Sequence, residues 1–98
     1  MKKTVFYSMI RKDGQNVAKR QNGYTDGTYN YYKGEFGTWY AIQPETGLSI
    51  YSSSTRKTAA EGAHAPEMAE KVARALDRMG ENAKQNFKKA LEATKGAA

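Results

Sequence analysis

Ten of the eleven aromatic residues in this 98-residue chain lie within its first 51 positions, and Phe87 is the only one after them. The densest stretch is Tyr24-Thr25-Asp26-Gly27-Thr28-Tyr29-Asn30-Tyr31-Tyr32-Lys33. Beyond Ser54 the sequence turns to Ala, Glu and Lys. Aromatic and β-branched residues suit a pleated, half-buried surface, whereas Ala, Glu and Lys suit helices. One chain therefore carries two kinds of structure in succession. The pattern predicts an α+β fold. An antiparallel sheet of three to five strands over residues 1–53 packs on a long carboxy-terminal helix over about 66–95. Ninety-eight residues make a single domain, with a basic, Tyr-rich β part over 1–54 and a helical part over 55–98.

Strand and turn signals alternate through the first half. Thr4 to Arg11 reads as a strand. Asp13-Gly14 reads as a type I′ turn, which requires positive φ. Asn16 to Arg20 then returns as a short second strand. Asn22-Gly23 and Asp26-Gly27 are two further turn signals, so the region around them reads as a mobile loop with Lys19-Arg20 at its tip. Thr28 to Lys33 forms the next strand, followed by a tight turn at Gly34-Glu35-Phe36-Gly37. Thr38 to Gln43 and Leu48 to Ser53 form a hairpin through Pro44-Glu45-Thr46-Gly47. A four-residue loop places Trp39, Ala41, Leu48 and Ile50 on one face and Tyr40, Ile42 and Tyr51 on the other. A three-residue loop with a bulge shifts the pairing by one and exchanges the faces. Burial of Trp39 favours the four-residue loop.

Thr55 suits an N-cap and Arg56 to Ala63 a first short helix. Pro66 suits the first position of a second helix. Met68, Val72, Ala75, Leu76, Met79, Ala83, Phe87, Ala90 and Leu91 then keep a spacing of three to four residues. The phase survives Gly80, which predicts one helix, straight or bent there. A helix of thirty residues is about 45 Å long at ~1.5 Å per residue. A six-residue strand spans only about 20 Å. Ala83, Phe87, Ala90 and Leu91 are therefore expected past the reach of the sheet. Either a fold-back at Gly80 or another chain, a homodimer partner first, covers them.

Charge follows the aromatics. Residues 1–58 hold nine Lys/Arg and four Asp/Glu, and residues 59–98 hold seven and six, so five of the six net positive charges sit on the aromatic first 58 residues. Such a field attracts nucleic acid, an anionic membrane or an acidic protein surface. Tyr rings stack on bases while cations meet phosphates. The candidate surface comprises Lys2, Lys3, Arg11, Lys12, Lys19, Arg20, Tyr24, Tyr29, Tyr31, Tyr32, Lys33, Tyr40, Tyr51, Arg56 and Lys57. Tyr and Arg equally mark protein interfaces.

Catalysis finds little support. His64 is the only histidine and there is no cysteine, which argues against a zinc-type metal site. Ser52, Ser53 or Ser54 with His64 and Asp77 make a triad only on paper, since no nucleophile-elbow sequence accompanies them. The glycines lie between strands rather than between a strand and a helix, so they do not read as a phosphate loop. No cofactor is implied. No apolar run approaches the ~20 residues of a membrane span. Met1-Lys2-Lys3 is not followed by a signal-peptide core, and the lack of cysteine suits a reducing cytoplasm.

Two resemblances add to this reading. The run Gly37-Thr38-Trp39-Tyr40-Ala41-Ile42, with Thr46-Gly47-Leu48-Ser49-Ile50 and Thr58-Ala59-Ala60-Glu61-Gly62-Ala63, resembles a three-stranded sheet leading into a helix. Over residues 28–65 that is similar to the arm-binding domains of phage integrases and the plant ethylene-response DNA-binding domain. The resemblance implies a sheet placed in the major groove. The helix here is far longer than in those families, and only Lys33 supplies charge within the strands. The chain also resembles in type the small orphan proteins of phages and mobile elements, including anti-CRISPR inhibitors. That resemblance implies docking on a bacterial defence nuclease, through acidic protein surface or guide RNA. The sequence thus predicts a non-enzymatic binding protein for nucleic acid or a nucleoprotein, with a protein-directed inhibitor as the alternative.

Overall fold

The computed structural model describes residues 1–96. Five antiparallel strands lie in sequence order, β1 (Lys2–Lys12), β2 (Gln15–Thr25), β3 (Asn30–Lys33), β4 (Trp39–Ile42) and β5 (Ser49–Ser53). Two helices follow, α1 (Arg56–Ala63) and α2 (Pro66–Gly96). The fold is α+β, an open five-stranded sheet with a long carboxy-terminal helix. Among the described residues no helix is long and apolar enough to cross a membrane.

The β1–β2 hairpin turns at Asp13 and Gly14, with φ of 51° and 78°, as the I′ signal requires. Its second strand is much longer than Asn16 to Arg20. Asn22-Gly23 does not turn the chain, because Gly23 lies inside β2 opposite Thr4. A β-carbon at Gly23 would run into the Tyr31 carbonyl and crowd the Phe6 ring. This glycine marks a close approach of strands, the other meaning a glycine has in a sheet. Lys19 and Arg20 therefore sit mid-strand, opposite Ser8 and Tyr7, and not at a loop tip.

Side chains alternate between two faces. On one, Tyr29, Tyr31 and Ala41 form the core with Ala59 and Ala63 of α1, and Trp39, Ile50 and Ala60 pack against them. The small residues Ala59 and Ala63 let α1 lie close to the sheet. Its N-cap is Thr55, whose hydroxyl accepts from the Thr58 N–H at 3.1 Å. On the other face Phe6, Tyr32 and Tyr40 make an aromatic row, with ring centroids 6.1 and 5.3 Å apart. Ser8 and Ile42 are buried there. The sheet curls on this side. In a flat sheet β1 and β4 would stand ~14 Å apart, three strand spacings. Here the Met9 N–H donates to the Gly47 carbonyl of the β4–β5 turn at 2.8 Å.

The β4–β5 pairing mixes the two expected registers. Gln43 bonds Leu48 across a four-residue loop and Ile42 faces Ser49. The register then slips by one, so that Ala41 faces Tyr51 rather than Ile50. Tyr51 consequently shares the face of Trp39 and Ala41, against expectation, and packs over Gly62 of α1. One extra residue in one strand is enough to exchange faces.

α2 runs unbroken through Gly80. Its far end does not outrun the sheet, because the curl carries β2 and the β4–β5 turn to meet it. Phe87 is 8% exposed and lies on Gly47. Gly47 has φ +68°, and a β-carbon there would strike the Phe87 ring. Ala83, Ala90 and Leu91 are half-buried, and the Thr94 hydroxyl lies 3.2 Å from the Ala18 carbonyl. Lys84 pairs with Glu45 at 2.9 Å. The turn itself is braced by the buried Gln43 amide oxygen, which accepts from the N–H groups of Glu45 and Thr46 at 2.7 and 3.0 Å. Of this stripe, Phe87 is thus buried within the chain itself, against the expectation that it lies past the reach of the sheet.

Candidate functional site

Strand pairing brings a subset of the basic and aromatic residues together on the α1 side of the sheet. Lys3 lies opposite Tyr24, Tyr24 opposite Tyr31, and Lys33 opposite Trp39. Arg20 falls on the same face by alternation, opposite Tyr7. Thr55 starts α1 directly after β5, which sets Arg56 and Lys57 in its first turn beside these residues.

Arg56 is the centre of the group. Its guanidinium lies 3.9 Å from the Tyr24 ring centroid and 5.9 Å from that of Trp39. The two rings are tilted, with centroids 6.1 Å apart. A cation over an aromatic ring is worth ~0.5–1 kcal/mol at an exposed site. A guanidinium placed over a ring can still offer its N–H donors to an anion. Among the described residues no carboxylate stands within salt-bridge distance of Lys3, Arg20, Lys33, Arg56 or Lys57. The first turn of α1 contains no acid. Two cations there add to the positive end of the helix dipole, an arrangement that costs helix stability and favours an anion.

The remaining predicted residues are elsewhere. Tyr29 and Tyr31 are core residues, and Tyr31 is fully buried, so neither presents a ring to a partner. Tyr32 and Tyr40 belong to the row on the opposite face. Burial pushes the Tyr32 hydroxyl up despite an opposing hydrogen bond with Ser8, and Tyr40 adds to the rise. Lys2, Lys12 and Lys19 alternate onto that opposite face too. Arg11 shares the Arg56 face but lies at the far end of the hairpin. Phe87 is buried against Gly47, and Ala83, Ala90 and Leu91 are half-buried. Trp39, which joins the cluster, and Val5, exposed beside Lys3 and Tyr24, were not singled out as contacts by sequence. Only the cross-strand register reveals them.

A second polar group lies at the other end of α1. Asp26 Oδ1 accepts from the N–H groups of Thr28 and Tyr29 at 2.9 and 2.8 Å, closing the β2–β3 turn. Its Oδ2 accepts from the Tyr31 hydroxyl at 2.6 Å and lies 2.7 Å from His64 Nε2. Partial burial would raise the Asp26 carboxyl, but the Tyr29 N–H, Tyr31, His64 and the Thr28 N–H outweigh it and hold it at about 2. Burial and the Asp26 carboxylate drive the Tyr31 phenol far upward, so it remains a donor. The His64 ring also packs against Tyr29, centroids 5.1 Å apart. His64 is therefore the carboxy-terminal cap residue of α1, tied to Asp26 and not to Asp77. The group pins α1 to the turn beneath it.

A groove of about 350 Å³ separates β5 from the first half of α2. Leu48, Ile50, Met68, Val72, Leu76 and Met79 supply most of its apolar lining. Leu48 is 39% and Met79 50% exposed.

Comparison with known protein families, characterised proteins and solved structures finds no match to this chain.

Proposed function

We propose that the chain is a non-enzymatic binding module that docks on nucleic acid or a nucleoprotein through the face centred on Arg56. One observation carries this reading. The Arg56 guanidinium lies over Tyr24, 3.9 Å from the ring centroid, on the face that also carries Lys3, Arg20 and Lys33, with Lys57 next to it in α1, and among the described residues no carboxylate pairs with any of them. Surface cations usually neighbour acids of the same chain; five without one make a positive field with aromatic rings at its centre. Phosphates satisfy the free N–H edges of the guanidinium, in bidentate fashion where geometry allows.

Salt titration of binding to labelled oligonucleotides tests the idea. With about four phosphates neutralised, log K falls with log salt at a slope near −3 to −4. Arg56→Ala weakens binding and flattens the slope by about 0.7–0.9. Lys12→Ala, on the opposite face, leaves both unchanged. No binding to DNA or RNA at low salt overturns the proposal.

The alternative, a mobile-element inhibitor of a bacterial defence nuclease, draws on a different feature. The apolar groove between β5 and α2 is a surface suited to a protein contact rather than to phosphates. A purified defence nuclease inhibited by the wild type, but not by Leu48→Asp, would favour it over the first reading.

A further inference from the structure

Among the described residues, the β3–β4 turn presents the most exposed large hydrophobic side chain. Phe36 is 97% exposed. Its backbone is firmly held, since the Gly34 N–H donates to the Thr38 carbonyl at 2.8 Å and the Gly37 N–H to the Gly34 carbonyl at 3.0 Å. Gly37, at φ +87°, completes the tight turn. The turn joins Lys33 to Trp39, the pair at the end of the Arg56 face, and Glu35 is its single acid. Trp39 in turn lies opposite Ser53, two residues before the cap of α1. An exposed aromatic ring on a hydrogen-bonded turn thus lies at the same end of the sheet as Lys33, Trp39 and the start of α1 with Arg56.

We infer that this face takes single-stranded nucleic acid, with Phe36 as a stacking platform for an unpaired base. The inference rests on the proposed function above and narrows it. Phosphate contacts alone do not distinguish a duplex from a single strand. A duplex presents phosphates and base edges but keeps its base faces stacked inside, whereas a single strand can lay a base flat on a ring. A fully wet phenylalanine has nothing to gain from phosphates. It gains from a base face, and because the turn is already ordered, little backbone entropy is lost when the base arrives. Stacking also needs no sequence readout, which fits a site made of one ring and several cations.

The test uses fluorescence anisotropy at low salt with a labelled single-stranded decamer and a blunt duplex of the same sequence, for both DNA and RNA. The single strand is expected to bind at least about tenfold more tightly than the duplex. Phe36→Ala should weaken single-strand binding about tenfold and leave the duplex unchanged. Phe36→Trp should retain affinity, while Phe36→Leu, apolar but without a ring, should behave as the alanine variant. The exposure of Phe36 means that all three variants should keep the wild-type thermal transition. Equal or tighter duplex binding, or a Phe36→Leu variant that matches wild type, overturns the single-strand inference. If Arg56→Ala still abolishes binding in that case, the Arg56 face stands as a nucleic-acid site and only the narrowing fails. Failure of every probe to bind removes both.

Discussion

Along α2, Met68, Val72, Leu76 and Met79 keep the same spacing as Ala83, Phe87, Ala90 and Leu91, yet the two sets meet different surroundings. The first set faces a groove with room for a ligand or another chain. In the second, Phe87 is seated on Gly47, Thr94 just beyond the set reaches Ala18 of β2, and Ala83 lines the end of the groove. Periodicity alone would assign the core to the first set, which lies nearer the sheet in sequence. The difference comes from the other side of each contact. A β-carbon missing at Gly47 makes a seat for one ring, and the curl that joins Met9 to Gly47 brings β2 within reach. An apolar stripe states that a helix has something to bury; it does not state where.

The largest effect expected from this contrast is at Phe87. Phe87→Ala removes a buried ring from a contact that relaxes little, because the turn is braced by Gln43. A loss of about 3–5 kcal/mol in urea denaturation is expected. Gly47→Ala should also be severe, since it combines a strained φ with a clash against the ring. A Phe87→Ala loss below about 1 kcal/mol would show that the second half of α2 is no better packed than the first.

A smaller loss is expected where α1 meets the β2–β3 turn. Asp26→Ala leaves the buried Tyr31 hydroxyl and the turn N–H groups without their acceptor, at a cost of about 2 kcal/mol. The same carboxylate makes stability depend on pH. Its folded value of about 2 lies below the ordinary 3.8. The unfolded chain therefore takes up this proton first, and the stabilisation is complete above about pH 4 and lost as pH falls through about 2. Urea midpoints measured between about pH 6 and pH 2.5 should fall more steeply for wild type than for Asp26→Ala. Parallel curves would remove Asp26 as the link between turn and helix.

What could be read from sequence divides along the same line between local and distant causes. The I′ turn at Asp13-Gly14, the Thr55 cap, the start of α2 at Pro66 and the division into sheet and helix follow from residues acting on their neighbours. The extension of β2 through Gly23, the slip at Ile50 and the burial of Phe87 each depend on a partner far along the chain. So does the site. Lys3, Tyr24, Lys33 and Arg56 were individually visible as basic or aromatic residues, but Tyr29 and Tyr31 looked the same and are core. Sequence alone makes Trp39 a core anchor, because nothing local says that a guanidinium will lie near it.

The smallest effect separates the halves of α2 most cleanly. Met79 is 50% exposed at the rim of the groove, eight residues before Phe87 on the same stripe. Half its surface already meets water, and its thioether closes no contact like that of Phe87 on Gly47. Met79→Ser should therefore change stability by no more than about 0.5 kcal/mol, the range of ordinary surface substitutions. Serine lowers helix propensity slightly, so the proper reference is Lys88→Ser, on the exposed face of the same helix. If Met79→Ser costs no more than that reference, the first half of α2 contributes little through its rim and the groove is open in solution. If it costs about 2 kcal/mol or more, the helix closes onto Leu48 and Ile50 in solution, and the difference between its two halves disappears.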